Sequence, residues 1–151
     1  MQRYPAISEG CQSLHFSLAI LLRNGRYVLQ LRDNKPGIAA PGLWALFGGA
    51  VEQNEAPEEA VRREVYEELG LKVETFRHLW TMQHYSDFFR QPATYSFFEA
   101  DVTHFWESHQ LLEGQEAADY PVDQLGKLQM PPFIRAVLVK HSEISSTKTS
   151  P

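Results

Sequence analysis

Three glutamates, Glu64, Glu67 and Glu68, stand close together near the middle of the chain. A helix turns by about 100° per residue, so in a helix these side chains share roughly 100° of arc and can converge on one point. Glu64 and Glu68 then form a like-charged i,i+4 pair, and the last two glutamates lie near a helix C-terminus, where the macrodipole disfavours anions. Each placement costs a few tenths up to about 1 kcal/mol, so a bound cation best explains the group.

The side-chain types favour a hard divalent ion. Carboxylate oxygens suit Mg²⁺, with Mn²⁺ as a common substitute, and no Cys or His pair with metal-ligand spacing accompanies the glutamates. Such ions neutralise phosphates and lower the pKa of a bound water for in-line attack on phosphorus. A solvated helix face would explain the favourable pairs Glu58–Arg62 and Glu59–Arg63, but it does not explain the later glutamates. The pattern therefore predicts a metal site that acts on phosphate groups.

Local signals set the ends of the helix that carries these acids. Pro57 suits the first turn and Gly70 suits the residue just past the end, which predicts a helix over about 57–69. Ala56, at the capping position, has no side-chain oxygen. We expect the helix start to be weaker by about 1 kcal/mol unless Asn54 or Glu55 acts as the cap.

Residues 49–71 follow the pattern G-x5-E-x7-R-E-U-x-E-E-x-G-U, where U is aliphatic. The segment resembles the Nudix box, the signature of Nudix hydrolases, at every defined position. The resemblance implies an α/β fold, the Nudix α/β/α sandwich with a mixed sheet between helices, over roughly residues 14–141. It also implies the metal ligands, which are the carbonyl of Gly49 and the carboxylates of Glu64, Glu67 and Glu68. Arg63 belongs to the same catalytic group, and we expect it to fix the loop at Glu55 rather than to touch substrate.

A later stretch, LEGQE, resembles a loop that often supplies a further catalytic acid and metal ligand in this family. Glu113 is the first choice for this acid and Glu116 the second, although both could be ordinary exposed carboxylates. Arg32, at the end of a predicted strand, resembles a position that some members use to bind the diphosphate, and a solvent-exposed arginine is the alternative. Nudix enzymes differ in the location of the general base, so Glu64 and Glu68 both stay candidates.

The elements around the box fit this fold. Hydrophobic patterns predict five strands, at 15–22, 27–32, 43–47, 73–85 and 94–102. The dipeptide Asn24-Gly25 predicts a hairpin turn between the first two. The last two are predicted to turn at either Ser86-Asp87 or Gln91-Pro92. A closing helix is predicted over 132–141, followed by a flexible Ser/Thr-rich tail over 142–151.

Composition indicates one domain over residues 1–151, because a chain of 151 residues with 43% hydrophobic residues can bury one ordinary core. The net charge of −5 argues against nucleic acid as a partner and is compatible with a small nucleotide held through metal. Cys11 is the single cysteine, and no signal peptide or membrane segment is visible. These features predict a cytoplasmic protein that does not bind membranes.

The resemblance implies a pyrophosphohydrolase for a nucleoside diphosphate linked to a group X. Nucleotide sugars and related dinucleotide-type substrates are favoured, because no feature dedicated to reading a damaged base is visible. One or two aromatic residues after the box are candidates for stacking on a base, while most would form core or a homodimer interface. They are Trp80, Tyr85, Phe88, Phe89, Tyr95, Phe97 and Phe98. Two alternatives stay open, a pool-cleaning pyrophosphatase for nucleoside triphosphates and a non-catalytic ligand-sensing module.

Overall fold

The computed structural model describes residues 13–149, with side chains to residue 146; Cys11 and the last two residues lie outside this range. The described strands are β1 (Leu14–Arg23), β2 (Arg26–Leu31), β3 (Trp44–Ala45), β4 (Phe47–Ala50), β5 (Arg77–Ser86), β6 (Gln91–Asp101) and β7 (Glu116–Tyr120). The helices are α1 (Pro57–Leu69) and α2 (Pro132–Thr149), with short 3-10 segments at Thr103–Ser108 and Val122–Lys127. No helix in the described range is long and apolar enough to cross a bilayer.

The strands form one mixed sheet whose main path is β3-β2-β1-β6-β5. β1 runs parallel to β6, whereas the β1–β2 hairpin is antiparallel and turns at Asn24 and Gly25, both with positive φ, as the sequence predicts. Beyond this hairpin β4 takes the place of β2 beside β1, and β3 and β7 pair with β2. The divergence of β1 and β2 lets the chain after β3 enter the sheet and deliver β4 against α1.

The central strands β1 and β2 are buried on both faces, whereas the edge strand β5 is largely exposed. In β1, Ala19 and Leu21 pack into a cluster with Val65 of α1, while Ile20 packs into a second cluster with Leu138 of α2. This alternation follows from the two-residue period of a strand and explains why the strand is apolar at almost every position. The predicted α/β sandwich, with a mixed sheet between helices, is confirmed.

Several boundaries differ from the sequence prediction. The strand predicted over 43–47 is two short strands, and the second continues through Gly48 and Gly49 to Ala50. The strand predicted from Val73 begins only at Arg77, because residues 71–76 place apolar side chains in the α1 cluster instead of pairing. The following turn lies at residues 87–90, close to the first of the two predicted places. β7 has no counterpart among the predicted strands.

The end of α2 and the cap of α1 also differ from the prediction. α2 continues past His141 to Thr149, and the buried His141 still packs against Tyr27 of β2. The start of α1 is capped by neither Asn54 nor Glu55. Glu59 instead accepts a hydrogen bond of 2.9 Å from the backbone N–H of Ala56, which is the returning half of a capping box.

Candidate active site

Two glycines of β4 lie directly against the acidic face of α1. The N–H of Gly48 donates a 2.9 Å hydrogen bond to Oε1 of Glu68. A Cβ added to Gly49 would lie 2.6 Å from the carboxyl carbon of Glu64, and one added to Gly48 would lie 2.2 Å from the carbonyl oxygen of Ser17. Gly48 also has a φ of 138°, which L side chains rarely adopt. Glycine at position 48 therefore lets β4 lie against β1, and glycine at position 49 lets the backbone approach the carboxylate of Glu64.

Two of the three helix glutamates are buried, and the third is partly exposed. Glu64 is 5% and Glu68 2% exposed, whereas the side chain of Glu67 is 34% exposed. Burial raises the pKa of Glu64 and raises that of Glu68 well above its usual range. The Glu68 carboxylate also lies near the negative charges of Glu113 and Glu64, which raise its pKa in the same direction. Its Oε2 atom is buried without a hydrogen-bond partner.

Arg63 joins the loop before α1 to the acidic face, as its position in the sequence led us to expect. Its guanidinium donates two hydrogen bonds to Glu55, of 2.8 and 3.0 Å, and one of 3.0 Å to the carbonyl of Ala50. Hydrogen bonding to Arg63 lowers the pKa of Glu55. Arg63 also lies 3.5 Å from Glu67, its i,i+4 neighbour on the helix, and it donates to Oε1 of the adjacent Glu64 at 2.8 Å, a contact that helical spacing does not indicate. It therefore fixes both the loop and the orientation of Glu64.

The loop between the first 3-10 segment and β7 brings Glu113 close to Glu64 and Glu68. The N–H of Leu112 donates to the carbonyl of Glu68 at 2.9 Å, near the C-terminus of α1. The charge of Glu113 contributes to the raised pKa of both Glu64 and Glu68, so its carboxylate faces the cluster. Glu116, the second choice, is the exposed first residue of β7, where it pairs with Leu31.

Gln30 of β2 is a residue that sequence reasoning missed. It is fully buried, and its Nε2 donates a 3.0 Å hydrogen bond to the carbonyl of Glu113. The available signal was a single glutamine within the otherwise apolar centre of the strand RYVLQL. A polar side chain in a strand buried on both faces needs a partner inside the protein.

A cavity of about 420 Å³ opens beside the acidic cluster. Gly48, Gly49 and Glu64 line one end, and Arg32 lines it as well, with its Nε bonded to the carbonyl of Ala39 at 2.7 Å. Seven further lining residues carry aromatic rings, and they are Phe16, His84, Tyr85, Phe88, Phe89, Tyr95 and Phe133.

The aromatic residues after the box divide between this cavity and the core. Trp80, Phe97 and Phe98 pack into the hydrophobic clusters, whereas Tyr85, Phe88, Phe89 and Tyr95 line the cavity, which is more than the one or two predicted. At the cavity, the His84 ring lies flat on Phe133, with centroids 3.9 Å apart and planes 4° apart. The cavity wall thus combines strand β5 with the start of α2, which sequence spacing does not connect.

Among the described residues, no three His, Cys, Asp or Glu side chains are already arranged to hold a metal ion. One oxygen of each buried carboxylate is already hydrogen-bonded. Oε1 of Glu64 accepts from Arg63, and Oε1 of Glu68 accepts from the backbone of Gly48. A cation would therefore meet the remaining carboxylate oxygens first.

The sequence of this chain is similar to a known domain family and to characterised hydrolases. A model of the NUDIX domain matches residues 13–140. The NAD-capped RNA hydrolase NudC of Chromobacterium violaceum is 30% identical over 142 residues, which cover 92% of this chain and 47% of that protein. The nucleoside triphosphatase NudI of an Enterobacter species is 47% identical over 55 residues, which cover 36% of this chain and 38% of NudI. The matched regions thus span less than half the length of these two relatives.

Solved structures show the same fold. The MutT NUDIX hydrolase of Burkholderia pseudomallei superposes with a TM-score of 0.71 and 25% sequence identity. The match covers 84% of this chain and 96% of that protein.

Proposed function

Because the chain belongs to the Nudix hydrolase family, we propose that it is a divalent-metal-dependent pyrophosphohydrolase that cleaves the diphosphate of a nucleoside diphosphate linked to another group X. One observation carries the proposal. The carboxylates of Glu64, Glu68 and Glu113 converge beside the backbone of Gly48 and Gly49, at one end of an aromatic cavity. A phosphate-binding centre next to an apolar pocket suits a substrate with a charged diphosphate and a planar ring.

The available donors fit Mg²⁺ or Mn²⁺. Each is an oxygen, and the buried Oε2 of Glu68 has no hydrogen-bond partner among the described residues. We assign the ion to five groups: the carbonyl of Gly49 and the carboxylates of Glu64, Glu67, Glu68 and Glu113. When bound, it would offset the charge of the diphosphate and lower the pKa of a water molecule.

The protein's own residues supply orientation and proton transfer. Arg63 holds Glu64 in place through a 2.8 Å hydrogen bond, so it acts on the acids rather than on the substrate. Arg32 lines the cavity and offers a positive charge to the diphosphate. Glu64 and Glu68 are both candidates for the general base, and in the metal-free site burial raises the pKa of each carboxylate.

The aromatic residues of the cavity suit a substrate that contains a planar group. Aromatic walls stack on nucleobases, and one such contact contributes about 1–3 kcal/mol. Tyr85 and Phe88 are 52% and 44% exposed and line this space, so they are available for such contacts. The relative NudC is named for hydrolysis of NAD-capped RNA, and the aromatic lining of the cavity supports a substrate of this kind, which contains planar rings. We therefore propose dinucleotide-type or nucleotide-sugar substrates.

A nucleoside triphosphate is the second candidate substrate. The local identity of 47% to NudI, which is named as a nucleoside triphosphatase, favours it. The products distinguish the two reactions. A nucleoside diphosphate derivative gives two monophosphates, whereas a triphosphate cleaved by a pyrophosphatase gives a monophosphate and pyrophosphate.

The test is a substrate screen with Mg²⁺ and with Mn²⁺, using ADP-ribose, NADH, UDP-glucose and the common nucleoside triphosphates. Products are identified by chromatography, and reaction in H₂¹⁸O identifies the phosphorus that is attacked. The Glu68→Gln protein, purified in parallel, controls for contaminating phosphatases. Equal turnover by wild type and Glu68→Gln would refute the assignment. Tight binding of a nucleotide without turnover would favour the ligand-sensing alternative.

A further inference from the structure

Gln30 is an unusual residue for the centre of this sheet. It is fully buried in β2, with Val28 and Leu29 beside it also fully buried. Its Nε2 donates to the carbonyl of Glu113 at 3.0 Å, while its Oε1 is buried without a partner among the described residues. The carbonyl can only accept, so the amide group must face Glu113 with its NH₂. An unpaired buried oxygen is destabilising, which indicates that the contact with Glu113 is the reason for a glutamine here.

The Glu113 loop is attached to the fold on both sides of this contact. Before it, the N–H of Leu112 bonds to the carbonyl of Glu68 at 2.9 Å. After it, the N–H of Gln115 bonds to the carbonyl of Leu31 at 2.8 Å. Gln30 therefore holds the middle of a short segment whose two ends are attached to α1 and β2.

Gly114 shows how closely the loop packs on Gln30. Its φ is +88°, and a Cβ at this position would lie 2.9 Å from both Cγ and Nε2 of Gln30. Glycine has the widest backbone freedom, so the peptide group that joins residues 113 and 114 can rotate unless something restrains it. The hydrogen bond from Gln30 supplies this restraint, because rotation would carry the Glu113 carbonyl away from Nε2.

We propose that Gln30 is a positioning residue, which fixes the Glu113 peptide so that the Glu113 carboxylate stays against Glu68. The inference rests on the proposed function, because it takes Glu113 to be one of the metal-binding acids. Gln30 acts through Glu113 and does not itself contact the substrate or the ion.

The test compares Gln30→Met with wild type, because methionine keeps the length of the side chain and removes the amide. Mn²⁺ affinity is measured by electron paramagnetic resonance, and backbone exchange at residues 113–115 by hydrogen-exchange mass spectrometry in EDTA. We expect Mn²⁺ to bind about 10–100-fold more weakly, as when a group that orients a metal ligand is lost. Exchange in the loop should rise. Ser96→Ala is the matched control, because Ser96 is 1% exposed and bonds to His15 and Thr81 rather than to the loop.

A double-mutant cycle with Glu113→Gln shows whether Gln30 acts through Glu113. The double variant should bind Mn²⁺ as weakly as Glu113→Gln alone. If the two losses multiply in full, Gln30 acts elsewhere and the inference is overturned. Wild-type affinity and wild-type loop exchange in Gln30→Met would overturn it too. If the wild type binds no Mn²⁺, the proposed function fails. Separately, if exchange at residues 113–115 in EDTA is the same in Gln30→Met as in wild type, Gln30 does not restrain the loop.

A second variant covers the case in which Gln30→Met does not fold. Gly114→Ala leaves the buried amide in place and pushes the loop away from it, since its new methyl group meets Gln30 and the carbonyl of Leu31 at 2.9 Å. It should lower Mn²⁺ affinity and raise loop exchange in the same way. A Gly114→Ala protein with wild-type values for both would contradict the inference.

Discussion

Replacing Glu68 by glutamine separates the role of this side chain in metal binding from its role in the fold. The carboxylate is 2% exposed, and burial, together with Glu113 and Glu64, raises its pKa well above the ordinary value of 4.5. Glutamine keeps the shape of the side chain and an oxygen that can accept the hydrogen bond from Gly48. It removes the buried charge and one oxygen ligand.

The effect of pH without metal follows from the direction of this shift. The folded pKa lies above the unfolded value, so the unfolded state releases the proton first as the pH rises. The stability of the metal-free wild type therefore decreases as the pH rises from the ordinary pKa to the raised one. Glu68→Gln has no carboxylate at this position, so its stability does not decrease for this reason. In EDTA at about pH 7–8 the variant should melt at the temperature of wild type or above it, and any advantage should disappear below the ordinary pKa.

Mg²⁺ should stabilise the wild type more than the Glu68→Gln variant. At a hundredfold excess over Kd, Mg²⁺ adds about 2.7 kcal/mol to the free energy of unfolding, which for a chain of this size raises Tm by roughly 5–11 °C. If loss of the Glu68 ligand weakens binding about a hundredfold, the same Mg²⁺ concentration adds about 0.4 kcal/mol, or roughly 1–2 °C. The kcat of the variant should fall by about 10²-fold or more.

Differential scanning calorimetry in EDTA and in Mg²⁺, at matched ionic strength and over a range of pH, measures these differences. Glu74→Gln makes the same chemical change at an exposed position after α1 and serves as the control. A Glu68→Gln protein that is clearly less stable than wild type in EDTA, and that gains as much from Mg²⁺, would show that Glu68 is a structural residue. The interpretation of the acidic cluster would then be wrong.

Three further outcomes are expected. Glu113→Gln should lower kcat more than Glu116→Gln, because the charge of Glu113 reaches the cluster while Glu116 is exposed at the start of β7. Steady-state kinetics that show the reverse order would assign the loop acid to Glu116. Gly49→Ala should lower kcat by about 10²-fold, because the new Cβ would lie 2.6 Å from the carboxyl carbon of Glu64 and displace it. Gly126→Ala, where nothing lies within 4 Å of the new atom, is its control, and equal activity of both variants would contradict the argument. Finally, the Mg²⁺ affinity measured by calorimetry should fall as the pH is lowered toward the raised pKa of Glu64, because protons compete with the ion for the carboxylate. An affinity independent of pH would exclude this competition.

The sequence by itself determined the family, the fold class and the helix that carries the acids. These features depend on local rules. Pro57 and Gly70 bracket a helix that the structure places at Pro57–Leu69, and the spacing of the glutamates puts them on one face. The contact between Arg63 and Glu55 also follows from their short separation along the chain.

Only the tertiary structure decided which distant groups join the acidic face. Glu113 is separated from Glu68 by 45 positions, and the pairing of β7 with β2 places Glu116 at the exposed start of the strand, which favours Glu113 as the proposed loop acid. Gln30 reads in the sequence as one polar residue in an apolar strand, and its partner is a backbone carbonyl 83 positions away. The stack of His84 on Phe133 joins β5 to α2 in the same way. Periodicity and capping signals act over a few residues, whereas these contacts depend on how the sheet pairs and which face each helix covers.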